Sequence, residues 1–204
     1  MPLTAIPVRT LAFDLPTSTV SFDITAADAK ADGKTEPHEK RVLVARKNQF
    51  STPVALPPGS YLASSKAFKT PAPFNLPDSE GARFLLLILP TSDGAFVIFP
   101  IPDAIGKIGP GERFLINATT EDIAVRFGKQ VATVKPGHSE YLRPPRPAPA
   151  DKRVEVEMAN KVGNGWLTFN STMWPLDPQA RSFVLVLPDP VTGTPRVRNL
   201  SEVP

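Results

Sequence analysis

The sequence contains no cysteine among its 204 residues. This absence excludes disulfide bonds, thiolate catalysis, iron–sulfur clusters and copper–thiolate centres. A secreted eukaryotic sandwich domain would more often carry a disulfide, so the absence favours a bacterial protein. Long apolar segments are lacking too. Because a membrane helix needs about 20 consecutive apolar residues, we expect no membrane span in this chain.

Histidine is scarce, which leaves little material for catalysis or metal binding. His38 lies between two carboxylates in segment 36–39, but ligands so close together rarely share one tetrahedral site, and a solvated loop is preferred. His138 lies beside Ser139 and Glu140, yet neighbours on a strand point to opposite faces and no Gly-x-Ser-x-Gly motif occurs. Glycine motifs for phosphates or dinucleotides are missing as well. We therefore predict no enzymatic activity, no cofactor and no bound metal.

A concentrated basic surface is also missing. The net charge is only +3, and the basic residues are scattered without interleaved aromatic residues, so we expect no nucleic-acid binding. The densest basic segment, 143–153, is rich in proline. It suits either a polyproline II peptide shown to a partner or a stiff loop between two strands, and we prefer the loop.

Proline is abundant, with 25 residues, where an average chain has about 5%. Proline breaks helices and is tolerated at strand ends and edges. Short apolar segments separated by turns every 8 to 12 residues, about seven in each half, are typical of antiparallel β-sandwiches. We predict an all-β protein with immunoglobulin-like sandwiches.

One pattern occurs twice. Segments 74–94 and 174–193 each contain an aromatic residue, a turn, an arginine, an unbroken hydrophobic run, a proline and a glycine turn. Tyr61 and Tyr141 each follow a Pro-Gly turn, which suggests equivalent corners whose hydroxyls bond the backbone. Two shorter similarities keep the same order along the chain; they join segments 11–22 with 115–127, and 44–62 with 125–142. Internal duplication is the preferred interpretation.

The duplication predicts two related sandwich domains, 1–105 and 106–204, either in tandem or packed as one pseudo-symmetric unit. The glycine- and proline-rich segment 101–112 marks the boundary. Three local features are also predicted: a polar loop at 25–40, a proline-rich loop at 143–153, and a hairpin that joins 41–45 to 49–55. Asp93-Gly94 and Asn164-Gly165 are predicted turns between strands. In the second half, strands are predicted at 113–117, 123–127, 130–134 and 139–142.

The amino terminus offers no secretory signal pattern, since no basic segment precedes an apolar one in residues 1–5. We expect an extracytoplasmic location, in the periplasm or at the cell surface, if a signal segment has been removed from this chain. Otherwise a cytoplasmic location is expected.

Aromatic residues supply the remaining candidates. Trp166 and Trp174 flank segment 167–173 and, if exposed, suit a platform that stacks on sugar rings; packing is the commoner fate of large aromatics in sandwiches. We therefore expect a non-catalytic structural or protein-interaction module of the bacterial cell envelope, which presents loops or a strand edge to a protein or cell-wall partner. The alternative is a carbohydrate-binding module that uses these two tryptophans.

The duplication makes a testable prediction. Residues from about 108 onward are expected to fold alone, because an independent domain buries its own core, and to give one cooperative transition on heating. Circular dichroism of the isolated second half measures this. A second half that stays unfolded while the full chain is stable would show that the two halves share one core.

Overall fold

The computed structural model describes residues 5–27, 41–78, 82–91, 93–103, 108–189 and 191–203, which contain strands and no α-helix. The chain divides into two compact units, Met1–Ala104 and Ile105–Pro204. Each unit contains two four-stranded sheets. The prediction of an all-β chain with two sandwiches is confirmed.

The described residues form sixteen strands in the two units. Those of the first unit are β1 Ile6–Ala12, β2 Thr19–Ala26, β3 Arg41–Arg46, β4 Val54–Leu56, β5 Gly59–Ser64, β6 Ala72–Leu76, β7 Phe84–Pro90 and β8 Phe96–Pro102. Those of the second are β9 Arg113–Asn117, β10 Ile123–Phe127, β11 Gln130–Val134, β12 Ser139–Leu142, β13 Arg153–Val162, β14 Gly165–Pro175, β15 Arg181–Pro188 and β16 Pro195–Glu202.

The two units share one topology. The sheets of the first are ordered β4-β1-β7-β8 and β3-β2-β5-β6, and those of the second β12-β9-β15-β16 and β11-β10-β13-β14. Each strand of the first unit therefore corresponds to the strand numbered eight higher in the second. In both units the first strand runs parallel to the seventh, and the other pairs are antiparallel. Identical strand order is what an internal duplication produces.

The immunoglobulin-like part of the prediction is not confirmed. In an immunoglobulin constant domain one sheet joins the first, second, fifth and fourth strands. Here the first strand pairs instead with the fourth and the seventh. Eight strands are present in each unit, where the sequence suggested about seven.

Strand periodicity explains both sheets of each sandwich. In β2 every second residue faces the core, so Val20, Phe22 and Ile24 are buried between exposed or half-buried neighbours. The seventh strands lie between two neighbours in the sheet, and their hydrophobic runs are buried at every position from Phe84 to Leu89 and from Arg181 to Leu187. Each unit has its own core cluster.

Buried arginines hold the end of the last strand in both units. The Arg9 Nε and Nη2 atoms donate to the two carboxylate oxygens of Asp103, at 2.6 and 3.1 Å, and the guanidinium lies over the Phe50 ring. In the second unit Arg181 donates to Glu202 with Nη2 at 2.6 Å. Paired arginine forks of this kind fix geometry as well as charge.

Some sequence predictions were wrong because local sequence patterns do not specify which sheet a strand joins. The expected hairpin of 41–45 with 49–55 does not form, since β3 pairs with β2 and β4 pairs with β1 in the opposite sheet. The predicted polar loop begins later than residue 25, because β2 continues to Ala26; residues 28–40 lie outside the described residues. The hairpin of β7 with β8 across Asp93-Gly94 is confirmed.

The predicted correspondence between segments of the two halves is correct near the ends of each half and wrong in between. The segments around β1–β2 and β6–β7 correspond to β9–β10 and β14–β15, as predicted. Tyr61, however, lies in β5 and Tyr141 in β12, which are not equivalent strands. Both tyrosines follow a Pro-Gly turn, but this short motif also occurs in connections that are not equivalent between the two units. The Tyr61 hydroxyl donates to the Pro57 carbonyl at 2.6 Å, whereas the structure gives the Tyr141 hydroxyl no hydrogen bond among the described residues.

This difference predicts unequal effects of two matched substitutions. Tyr61→Phe is expected to lower the free energy of unfolding by about 1 kcal/mol, the net value of one hydrogen bond that leaves a carbonyl unsatisfied when removed. Tyr141→Phe, the control, is expected to change it by less than about 0.5 kcal/mol. Urea unfolding of the full chain measures both, and equal losses would contradict the assignment.

Candidate functional site

The edges of the four sheets differ in how well they are protected against pairing with another chain. Edge strands present unpaired N–H and C=O groups, and proteins blunt them with prolines, charges or short length. Among the described strands, seven of the eight sheet edges carry such a device. β4 has three residues; β3, β12 and β16 contain charged residues; β6 and β8 contain internal prolines; and β11 has five residues between Lys129 and Lys135.

The eighth edge strand, β14, has almost no protection of this kind. It is 11 residues long, about twice the common strand length, contains no charged residue, and has proline only at its last position. It pairs with β13 on one side and is the end strand of its sheet. Among the described residues its other side pairs with no strand. Its one protective device is a bulge at Phe169, where the register with β13 shifts after Met158.

Large apolar side chains are exposed along β14 and at the adjoining turn. No residue of β14 is fully buried, and Trp166 and Leu167 are 49% and 60% exposed. Met173 near the other end is also exposed, as is Val162 at the end of β13. We call these four residues and the outer side of β14 the open edge. Exposed apolar area of this kind is typical of interaction sites.

Local sequence explains the hairpin that forms the open edge. Val162 pairs with Gly165, so Gly163 and Asn164 are the two turn residues. Gly163 has a φ of 57°, which suits the glycine-first position of a type II′ hairpin turn. The turn therefore lies one residue earlier than the Asn164-Gly165 pair suggested by the sequence.

The two carboxylates beside the open edge are paired with an arginine of the same sheet. Arg126 on β10 donates to Glu155 at 3.0 Å and to Glu157 at 2.6 Å, both on β13. The hydrogen bond from Arg126 lowers the pKa of Glu157, and Thr168 on β14 adds a second donor to the same carboxylate. The carboxylates next to β14 thus have partners, and the open edge itself carries no charge.

The first unit provides an internal comparison. Its equivalent edge, β6, has five residues with Pro73 among them, and Pro71 and Pro77 lie just outside its ends. Proline donates no hydrogen bond and is confined to edges of sheets. An unprotected edge is therefore not a requirement of this topology.

The two predicted ligand-binding tryptophans have different environments. Trp174 is half-buried, packs against the second core, and has its ring centroid 6.4 Å from that of Phe127 and 5.0 Å from the Arg113 guanidinium carbon. Trp166 is exposed at the other end of β14. Eight steps along the strand separate them by about 26 Å, at 3.3 Å per residue. They do not form one platform.

The remaining candidates have no ligand geometry. His138 is exposed, and its Nδ1 atom lies 2.9 Å from the Pro136 carbonyl oxygen. No group of three metal-ligating side chains occurs in the part of the chain that the structure describes. The segment of His38, Glu36 and Glu39 lies outside that part. The proline-rich segment 143–153 connects β12 to β13.

Sequence reasoning did not single out β14, although a signal was present. Residues 162–174 form the longest segment of the chain without proline or charge, in a sequence where both are frequent. A central strand and an edge strand look alike in sequence, so this pattern alone does not identify β14 as an edge. Position in the sheet depends on pairings with distant segments.

The unequal environments of the tryptophans predict a spectroscopic difference. Trp166→Phe leaves Trp174, whose emission is expected to lie towards blue wavelengths and to resist acrylamide quenching, because the ring packs against the core. Trp174→Phe leaves Trp166, which is expected to emit near the wavelength of tryptophan in water and to be quenched readily. Similar quenching constants in the two variants would contradict the assignment.

No family model matches this chain, and no curated protein matches it in sequence. The described residues include no helix that is long and apolar enough to cross a membrane.

Proposed function

We propose that this protein is a non-catalytic interaction module of the bacterial cell envelope, in which β14 accepts an extended segment of a partner protein as an added strand. The observation that carries the proposal is the length of β14 and its lack of charge and internal proline, when every other edge is protected. The envelope assignment is supported by the proline-rich, cysteine-free composition alone.

In strand addition, the main chain and the side chains of the edge strand have different roles. Main-chain hydrogen bonds along the edge supply affinity, and side chains at alternate positions supply specificity. Trp166, Leu167 and Met173 offer apolar area at both ends of β14, and burying such area contributes about 25 cal/mol per Å². The middle of β14 offers only Asn170, Ser171 and Thr172. A fitting partner segment is uncharged, extended, and apolar towards its ends.

The bulge favours a flexible segment over a second copy of this chain. Phe169 interrupts the regular alternation of β14. An extended peptide adjusts its own backbone to the bulge, whereas a second β14 brings a bulge of its own into the same pairing. Self-pairing is therefore an outcome to be tested rather than the proposal.

The test uses peptides selected from a random library on the full chain. The test variant carries Leu167→Lys and Ser171→Lys, because lysine on an edge opposes strand addition. Both positions are exposed, and Ser171 lies opposite Glu157, so folding is expected to persist. The matched control is Val131→Lys on β11, the opposite edge of the same sheet, where the side chain is 71% exposed.

We expect uncharged peptides that bind wild type and the β11 control alike, with affinity for the β14 variant lower by at least about tenfold. Hydrogen exchange is expected to slow at β14 amides in the complex. Peptides that bind all three proteins equally, or leave β14 exchange unchanged, would refute strand addition. A dimer that forms with rising concentration and is lost in the β14 variant would replace the proposal with self-association.

Carbohydrate binding is the second candidate, and exposure of the Trp166 ring supports it. A single stacked aromatic is a small site, because Trp174 is turned towards the core. Titration of wild type with polysaccharides and cell-wall fragments tests it through tryptophan emission. A saturable blue shift with one glycan that disappears in Trp166→Ala would favour this function, and Trp174→Ala serves as the comparison.

A further inference from the structure

A second feature of the second unit lies near the first residues of β9 and β15 and the last residues of β16. Arg113, the first residue of β9, is only 5% exposed and lines a cavity of about 220 Å³. One water needs roughly 15 Å³ of such space. Ser182 is the cross-strand neighbour of Arg113, and Ser201 is the neighbour of Ser182. The remaining lining comes from Gly111, Pro175, Asp177, Ala180 and Asn199.

Arg113 uses little of its hydrogen-bonding capacity. The Nη2 atom donates to the Pro175 carbonyl, and the buried Nε atom has no hydrogen-bond partner among the described residues. No carboxylate among the described residues forms an ion pair with Arg113, and the guanidinium carbon lies 5.0 Å from the centre of the Trp174 ring. An arginine offers five N–H donors. A buried guanidinium with one conventional partner is rare because desolvation costs several kcal/mol.

The charge of Arg113 is also only partly compensated by its surroundings. Burial lowers the pKa of Arg113, and the charge of Asp177 opposes this shift only in part. Asp177 is exposed and accepts a hydrogen bond from the Gln179 backbone at 2.9 Å. The cavity thus contains one buried positive charge with one acidic group near it.

The first unit shows that the fold does not need this arrangement. There Val8 pairs with Phe84, and Phe84 with Pro102, in the strands that correspond to β9, β15 and β16. Val8 and Phe84 are buried members of the first core. The row of Arg113, Ser182 and Ser201 therefore replaces an apolar row in the same topology. A charge that costs stability and is not required by the fold points to a ligand.

We propose that the cavity of the second unit binds a carboxylate group, held by the Arg113 guanidinium and by the hydroxyls of Ser182 and Ser201. The planar guanidinium fork matches two carboxylate oxygens. The Ser182 and Ser201 hydroxyl oxygens are 2.9 Å apart, and the Asn199 side chain adds amide donors at the same lining. A single guanidinium opposite Asp177 suits a singly charged carboxylate better than a doubly charged phosphate.

The carboxylate has two sources, a free small acid or an acidic side chain of a protein partner. Acetate represents the first, and a glutamate residue blocked at both ends represents the second. The blocked glutamine residue is the neutral control of the same shape, and inorganic phosphate tests the charge argument. This inference does not depend on strand addition at β14, and neither experiment decides the other.

The experiment follows Trp174 emission in the full chain with Trp166→Phe, since Trp174 is then the sole tryptophan and lies against Arg113. We expect a saturable change with acetate or blocked glutamate and none with blocked glutamine. Arg113→Lys is expected to weaken binding at least about tenfold because the fork is lost. Ser201→Ala, at an exposed position that does not threaten folding, is expected to weaken it about fivefold.

Saturation by acetate and blocked glutamate alike would assign a general carboxylate site, and saturation by blocked glutamate alone would assign the partner side chain. The proposal is overturned if no carboxylate gives a saturable change, or if blocked glutamine or phosphate binds as well as the carboxylates. It is also overturned if Ser201→Ala and a folded Arg113→Lys variant both bind carboxylate with the affinity of the parent protein.

Discussion

The parallel pairing of the first strand with the seventh is the constraint on which each sandwich depends. It joins β1 to β7 and β9 to β15, segments about 70 residues apart in sequence. Parallel strands are usually buried, and both seventh strands are buried at nearly every position. In the second unit this pairing places Arg113 beside Ser182, whereas β14 ends the other sheet of the same unit.

One topology used twice allows each feature to be judged against its counterpart. The first unit protects the edge at β6 with proline and fills the row of Val8, Phe84 and Pro102 with apolar groups. The second unit leaves β14 unprotected and places Arg113 in the equivalent row. Both changes cost the second unit stability or solubility in isolation. The two proposed binding functions would account for both features, since the first unit shows that the topology does not require them.

Much of the local structure was predictable from hydrophobic patterns and turn residues. Four predicted strands of the second unit, β9 to β12, have the observed bounds, and the hairpin across Asp93-Gly94 forms as expected. Predictions failed where the chain crosses between sheets. β3 and β4 are close in sequence and each reads as a strand, but they lie in opposite sheets. Tyr61 and Tyr141 both follow a Pro-Gly turn but lie in strands that are not equivalent. A Pro-Gly turn ends one strand and does not specify which strand the next one pairs with.

Composition, apolar runs and turn residues by themselves determined that the chain is all-β, where most strands lie, and that it consists of two related parts. These properties depend on residues close together in sequence. Only the tertiary structure decided that β14 is an edge, that Trp174 turns inward while Trp166 faces solvent, and that Arg113 lines a cavity beside Ser182 and Ser201. Each of these results from pairing between distant segments, and the alternation of side chains along a strand does not specify which strand will lie beside it.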